Sequence, residues 1–300
     1  MDKNFVCNLC NHSGYRVIPF RYAFKGRYIN AVKCKKCGLI SLFPPPSDDE
    51  IQEMYSDDYF TVEDVQTHHY QKDYLTAVKE VDYSQKVNSL RKHLHPQARI
   101  LEVGCATGEL LVALRTEGYE VMGVEISEFA GQIAIKNYGL DVLIAPFEEN
   151  LIKDDLKEAS FDLVLMGDVL EHFKNPTEAM RFSCKLLKPG GVLIVNVPST
   201  LNLISSRIAF LMYRLIGSQK TMTIPPYHLS EFFPRSLRRM YKAAGFSKSN
   251  ILQETKHPRT ITLRHSRLEN FLKVVSQYPN YYITRFLGIF GDRLTGIGTK

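Results

Sequence analysis

The stretch Arg99-Ile-Leu-Glu-Val-Gly-Cys-Ala-Thr-Gly-Glu109 constrains this chain more than any other. An apolar strand run, Ile100 to Val103, breaks at Gly104, and a helical pattern starts near Gly108. A strand that turns through glycines into a helix presents backbone N–H groups to a ligand. What the turn lacks narrows the ligand. Counted from Gly104, the last glycine of a G-x-G-x-x-G dinucleotide fingerprint would fall at residue 109, which is Glu109. A pyrophosphate at that helix start would meet a carboxylate, and two anions there repel. A turn carrying Glu102, Gly104, Cys105, Ala106 and Gly108 therefore suits a ligand with a cationic middle.

From residue 99 onward strand and helix patterns alternate. Strands are expected over 99–103, 120–125, 141–145, 161–166 and 191–197, and helices over about 108–117, 128–138, 147–157 and 176–188. The last helix is well marked, with Asn175 as N-cap, Pro176 at the first position and Lys188-Pro-Gly-Gly191 as a stop. Such alternation predicts an α/β fold, a Rossmann-like, doubly wound and mostly parallel sheet joined by right-handed crossovers. Its ligands bind beyond the carboxyl ends of the strands. A further helix runs from near Pro234 to Gly245, and 246–253 reads as a sixth strand. The tail from Tyr281 yields no seventh.

The flanks divide the rest of the chain. Residues 1–46 read as a zinc ribbon, and 47–95 as a helical linker or cap bearing tyrosines at 55, 59, 70, 74 and 83. Residues 96–253 form the core, with a lid-like insertion at 198–228, and 254–300 is a basic C-terminal extension.

Cys7-x2-Cys10 and Cys34-x2-Cys37 form two knuckles on either side of an aromatic and β-branched segment, Tyr15 to Val32. Two such pairs supply a closed tetrahedral thiolate set, which Zn2+ prefers. Four thiolates leave no open coordination position, so the metal is structural. Disulfides and a redox C-x-x-C are disfavoured by a cytosolic setting and by the absence of a following βαβ pattern.

The charge is uneven. Residues 201–300 hold 16 Lys and Arg against 4 Asp and Glu, whereas the whole chain is only +6. A basic final third points to an anionic partner, such as a phosphorylated small molecule, a membrane surface or nucleic acid, or to a plain solvated face. Met1 to Cys10 lacks the apolar core of a signal peptide, and Leu201–Ile216 carries two arginines that argue against a bilayer span. The expected compartment is the cytoplasm.

Glu125 lies 21 residues after Gly104, at the end of the second strand. There a carboxylate accepts hydrogen bonds from both hydroxyls of a ribose, with Ile126 beside it. Glu102 interrupts an apolar run and needs a cationic or amide partner if buried. Ala145-Pro-Phe-Glu148 follows the third strand, where Phe147 and Glu148 reach an adenine, although core packing of Phe147 is the competing reading. After the fourth strand, Gly167 permits close backbone approach and Asp168 caps the segment or contacts a methionine moiety. S-adenosylmethionine, with its sulfonium and ammonium, fits this set.

Leu101-Glu-Val-Gly-Cys-Ala-Thr-Gly108, Glu125, Phe161-Asp-Leu-Val-Leu-Met-Gly-Asp-Val-Leu-Glu-His172 and Leu187-Lys-Pro-Gly-Gly-Val-Leu193 resemble class I S-adenosylmethionine-dependent methyltransferases over about residues 96–250. The cysteine pairs, with Cys37-Gly-Leu and Phe43-Pro-Pro-Pro46, resemble a bacterial subgroup with a zinc-binding front module. That subgroup includes sugar methyltransferases of antibiotic, capsule and lipopolysaccharide pathways. The resemblance implies methyl transfer to a small-molecule acceptor, including phosphorylated or nucleotide-linked sugars. It places His228, in Pro225-Pro-Tyr-His-Leu-Ser230, over the substrate pocket as the first-choice general base, with His172 second and Tyr227 orienting base or substrate. Tyr227 directly precedes His228 with no intervening glutamate, a departure from the zinc-bearing sugar C-methyltransferases that favours O-methylation.

Three rival readings stay open: RNA methylation, sugar C-methylation, and a cofactor-binding scaffold without transfer. Gly167-Asp-Val-Leu170 is not the Asn/Asp-Pro-Pro-Tyr loop of base-modifying enzymes, so nucleic acid is disfavoured. The apolar run at 201–216 and the aromatic, basic tail also suit peripheral contact with an anionic membrane.

Overall fold

The computed structural model describes residues 5–55, 78, 81–258 and 267–300. The expected tyrosines 59, 70 and 74 lie outside the described residues. Three strands open the chain as an antiparallel meander: β1 (Tyr15–Phe24), β2 (Arg27–Cys34) and β3 (Ile40–Phe43). Period-two alternation turns Phe20, Tyr22, Ile29, Ala31, Ile40 and Leu42 into a small core. After the proline run comes α1 (Asp48–Met54), started by a capping box in which Ser47 and Glu50 exchange backbone and side-chain hydrogen bonds. Helix α2 (Ser84–Arg91) precedes the second sheet.

Alternation then proceeds through β4 (Arg99–Val103), α3 (Glu109–Thr116), β5 (Glu120–Glu125), α4 (Glu128–Tyr138), β6 (Val142–Ile144), α5 (Glu149–Ile152), β7 (Phe161–Gly167), α6 (Pro176–Leu186) and β8 (Leu187–Pro198). Ser127 caps α4 and Asn175 caps α6, each accepting a backbone N–H three residues on. Two expectations change. The helix expected over 147–157 is a single turn, and β8 starts directly after α6, at Leu187 rather than at residue 191.

The chain continues through α7 (Ile204–Leu215), β9 (Lys220–Met222), β10 (Ser230–Glu231), α8 (Pro234–Ala244), β11 (Lys248–Glu254), α9 (Arg267–Leu287) and β12 (Arg293–Thr299). The large sheet runs β11-β12-β8-β7-β4-β5-β6, parallel from β6 to β8, with β12 antiparallel to both its neighbours. The tail thus supplies a seventh strand after all, inserted between the fifth and sixth. Residues 293–299 belong to the core sheet rather than to an extension outside it. Two glycines make room for this strand. A Cβ at Gly296 or Gly298 would lie 2.6 or 2.3 Å from the ring of Tyr241, which α8 buries against β12 and whose hydroxyl donates to the carbonyl of Leu193.

The insertion after β8 is not an independent lid. Strand β9 adds parallel to β1 and β10 adds antiparallel to β3, giving a second sheet in the order β10-β3-β2-β1-β9. Buried Asn202 ties the same insertion to the large sheet by donating to Gln253 and to the carbonyl of Gly291. Helix α7 leaves Ile208, Leu211, Met212 and Leu215 exposed. Among the described residues no helix is long and apolar enough to cross a membrane.

Candidate active site

Strand β4 has β5 on one side and β7 on the other, so the strand order reverses there and a crevice opens at the carboxyl ends. The turn after β4 is tight. Gly104, Ala106 and Gly108 all have positive φ, at 71°, 47° and 86°. A Cβ on Gly104 would meet Val169 at 2.7 Å, and one on Gly108 would meet Leu140 at 2.4 Å, so the turn packs against both the β7 loop and α4. Glu109, in the first turn of α3, accepts from Thr107 Oγ1 at 2.6 Å, which sets a carboxylate at that helix start.

Glu125 is buried at the end of β5. Its Oε2 accepts from the Ala106 N–H at 2.8 Å and its Oε1 from the Ser127 N–H at 2.9 Å. Burial pushes its carboxyl above the ordinary value, and the backbone N–H groups pull against that shift. Ile126, next to it, is exposed. Glu102 is also buried, with Oε2 lacking a hydrogen-bond partner, and burial raises its pKa to about 8 against the pull of Lys86. Lys86, on α2, donates to Asn196 Oδ1 at 2.5 Å. Sequence reading missed Lys86, because α2 is polar and carries no motif.

Two expected residues fall elsewhere. Phe147 is buried with its ring against Phe173 and Phe182, at centroid distances of 6.3 and 4.9 Å, so it belongs to the core rather than to the crevice wall. Asp168, with φ at 54°, is half exposed and ion-paired with Arg293. Its carboxylate is therefore already engaged by the strand that the sequence did not reveal. Cys105 is an ordinary buried thiol, Gly167 ends β7 in open space, and Glu148 is exposed beyond β6.

Next to the crevice, the loop after β7 meets the segment before β10. Leu229 makes the join: its N–H donates to the carbonyl of Glu171 at 2.8 Å and its own carbonyl accepts from Leu42 N–H at 3.0 Å. That join brings His228 to His172, ring centroids 5.1 Å apart, a proximity the sequence did not predict. His172 Nδ1 lies 2.9 Å from the carbonyl of Tyr227 and 2.6 Å from Tyr55 Oη. A carbonyl can only accept, so the Tyr227 contact favours the hydrogen on Nδ1. Burial, and then His228, lower the His172 pKa to about 3, against the pull of the Tyr227 and Asp168 carbonyls. A ring held below its ordinary basicity is a weaker proton acceptor than a solvated imidazole.

Glu171 and Glu231 join this cluster, and sequence reading assigned neither. Glu171 is 1% exposed and neither carboxylate oxygen has a hydrogen-bond partner. Burial, and then the charge of Asp168, lift its pKa well above the ordinary carboxylate value. Glu231 Oε2 is also sealed from solvent without a partner, and burial raises that group to about 8. The available signal was acidic residues set within apolar runs, Leu170-Glu-His and Ser230-Glu-Phe-Phe.

The four cysteines Cys7, Cys10, Cys34 and Cys37 converge, with all four sulfurs within 4.8 Å of one another and no disulfide among them. Cys7 and Cys37 sulfurs are 3.4 Å apart, and those of Cys10 and Cys34 3.6 Å. Both knuckles are closed by backbone bonds, Cys10 and Asn11 N–H to the Cys7 carbonyl and Gly38 N–H to the Cys34 carbonyl. Arg239, on α8, donates to the carbonyls of Lys36 and Cys37 and so fixes the second knuckle to the core.

The family model described as a methyltransferase domain matches residues 69–250. The chain belongs to the methyltransferase family. Its sheet order and motifs make it a class I S-adenosylmethionine-dependent methyltransferase. It is 32% identical over 118 residues to an uncharacterized protein of Methanocaldococcus jannaschii, covering 39% of this chain and 53% of that one. It is 27% identical over 183 residues to the ubiquinone biosynthesis O-methyltransferase of Pseudomonas entomophila, covering 59% of this chain and 75% of that enzyme. A SAM-dependent methyltransferase from Archaeoglobus fulgidus shares the fold with a TM-score of 0.51 at 20% identity, over 76% of this chain and all of that one.

Proposed function

We propose that this methyltransferase places a methyl group on a hydroxyl of a small-molecule acceptor, a sugar or glycan precursor. The observation that carries the reading is the position of His228. It sits beside the crevice at the carboxyl end of β7, held there by the Leu229 join. An O-methyltransferase among the relatives supports an oxygen acceptor.

The crevice fits S-adenosylmethionine. Glu125 would accept from the ribose hydroxyls, beside the N–H groups of the Gly104–Gly108 turn, and Ile126 would offer an apolar surface to the adenine. Glu102, its Oε2 unpartnered, awaits a cationic group such as the cofactor's ammonium. Bound there, the cofactor supplies an already activated methyl on sulfonium. The protein's own tasks are to align the acceptor, exclude water and remove the hydroxyl proton. His228 is the group placed to take that proton, with Tyr227 and Tyr55 holding His172 beside it. The cysteine set fits a structural Zn2+, whose role is to keep the ribbon and its attached strands β9 and β10 in place.

A second acceptor class is favoured by the exposed apolar residues of α7 together with Arg214 on the same helix: a sugar carried on a lipid, reached at an anionic membrane surface. Incubation with labelled methyl donor and a panel of free and lipid-linked sugar nucleotides tests both. An O-methyl product that disappears with His228→Ala supports the reading, and a C- or N-methyl product overturns it. Vesicle flotation separates the free from the lipid-linked acceptor.

A further inference from the structure

We propose that Glu171, His172 and His228 form a second metal site, distinct from the four cysteines, that binds a divalent cation through oxygen and nitrogen. One donor atom from each of the three lies within 4.8 Å of the others. Two ligands at about 2.1 Å from one centre stand at most about 4.2 Å apart, so binding requires side-chain rotation to close part of that spacing.

Three features separate this cluster from an incidental acidic patch. Glu171 is 1% exposed with both oxygens unpartnered, and a buried carboxylate in that state requires a cation or a proton. The carbonyl of Tyr227 favours the hydrogen of His172 on Nδ1, and Nε2 stands 3.8 Å from Glu171 Oε1. That is the arrangement by which an outer carbonyl orients a metal-binding imidazole. Finally, the donors come from two elements, the loop after β7 and the segment before β10, which the Leu229 hydrogen bonds lock together. Glu231 adds a second sealed carboxylate oxygen whose charge acts on Glu171.

A mixed nitrogen and oxygen set suits Zn2+, Fe2+, Mn2+ or Co2+ better than Ca2+. Three protein ligands leave a position for the acceptor, so the cation's part in transfer rests on the function proposed above, whereas its binding does not. A cation held there would polarise an acceptor hydroxyl and ease the loss of its proton. His228 would serve as a ligand while the cation is bound and as the base proposed above when it is absent.

Mn2+ titration of the full chain, followed by electron paramagnetic resonance, tests this, because Mn2+ avoids thiolate sites and the cysteines stay silent. The expected result is saturable uptake at about one site per chain, weakened at least about tenfold by Glu171→Gln and by His228→Ala. Binding of S-adenosylhomocysteine serves as the folding check, and if Glu171→Gln fails it, His228→Ala carries the comparison. No saturable uptake by the unmutated protein, or equal uptake by a folded variant, overturns the site. Mn2+ uptake without S-adenosylhomocysteine binding leaves the site standing and overturns the proposed function instead.

Discussion

The backbone N–H of Ala106 meets Oε2 of Glu125 at 2.8 Å, so the turn after the first core strand and the end of the second are held by one carboxylate. The other oxygen of Glu125 receives the Ser127 N–H, at the start of the next helix. One side chain therefore shapes the crevice and also presents a charge to it. A ribose with two hydroxyls is the ligand such a carboxylate selects.

The glycine turn is set by packing as much as by ligand. Gly108→Ala should lower stability by roughly 1–3 kcal/mol, because the new Cβ meets Leu140 and φ is 86°. Urea unfolding measures this. A loss below about 0.5 kcal/mol, the range of neutral surface changes, would show that Leu140 yields easily.

Glu102 gives the ligand-free protein a distinctive pH dependence. Its pKa is about 8 folded and near 4.5 unfolded, so the folded state holds a proton that the unfolded state releases. The stability it contributes is present below pH 4.5 and falls as pH rises through 8. Glu102→Gln should flatten the loss between pH 5 and 8, as read from urea midpoints at several pH values. An unchanged slope would place the titration elsewhere.

Zinc removal should disturb more than the ribbon. The purified chain is expected to hold about one zinc on its four cysteines, as in closed structural sites. Chelation should lower the melting temperature and expose β9 and β10 to amide hydrogen exchange, since both strands pair on the ribbon sheet. Loss of metal with no change in exchange would show that the ribbon stands apart from the insertion.

Asp168 and Arg293 form an ion pair with both side chains more than a third exposed. Arg293→Ala should cost no more than about 1 kcal/mol, the upper range for exposed pairs. A larger loss in thermal unfolding would mean that the pair anchors β12.

Much of this was legible in the sequence because it rests on local signals. The strands at 99–103 and 120–125 match residue for residue, as does the helix at 128–138, since apolar runs, Ser127 and Gly139 mark their ends. Asn175 and Pro176 start α6 as predicted. The long-range features were not legible. Strand β12 reads Arg-Leu-Thr-Gly-Ile-Gly-Thr, and its glycines weaken a strand signal until Tyr241 is known to fill the space beside them. Strands β9 and β10, three and two residues long, exist only because the ribbon offers them edges. Glu171 and Glu231 became prominent only once burial showed their oxygens without partners. Phe147 went the other way, since an aromatic after the third strand is equally apt for a ligand or for the core.

The central claim is that Glu125 and the turn it holds bind S-adenosylmethionine. Isothermal calorimetry with S-adenosylhomocysteine tests it most directly. Saturable binding by the unmutated chain, weakened at least about tenfold by Glu125→Ala, or about 1.4 kcal/mol, is the predicted result. No binding, or equal binding by a folded Glu125→Ala variant, would contradict it.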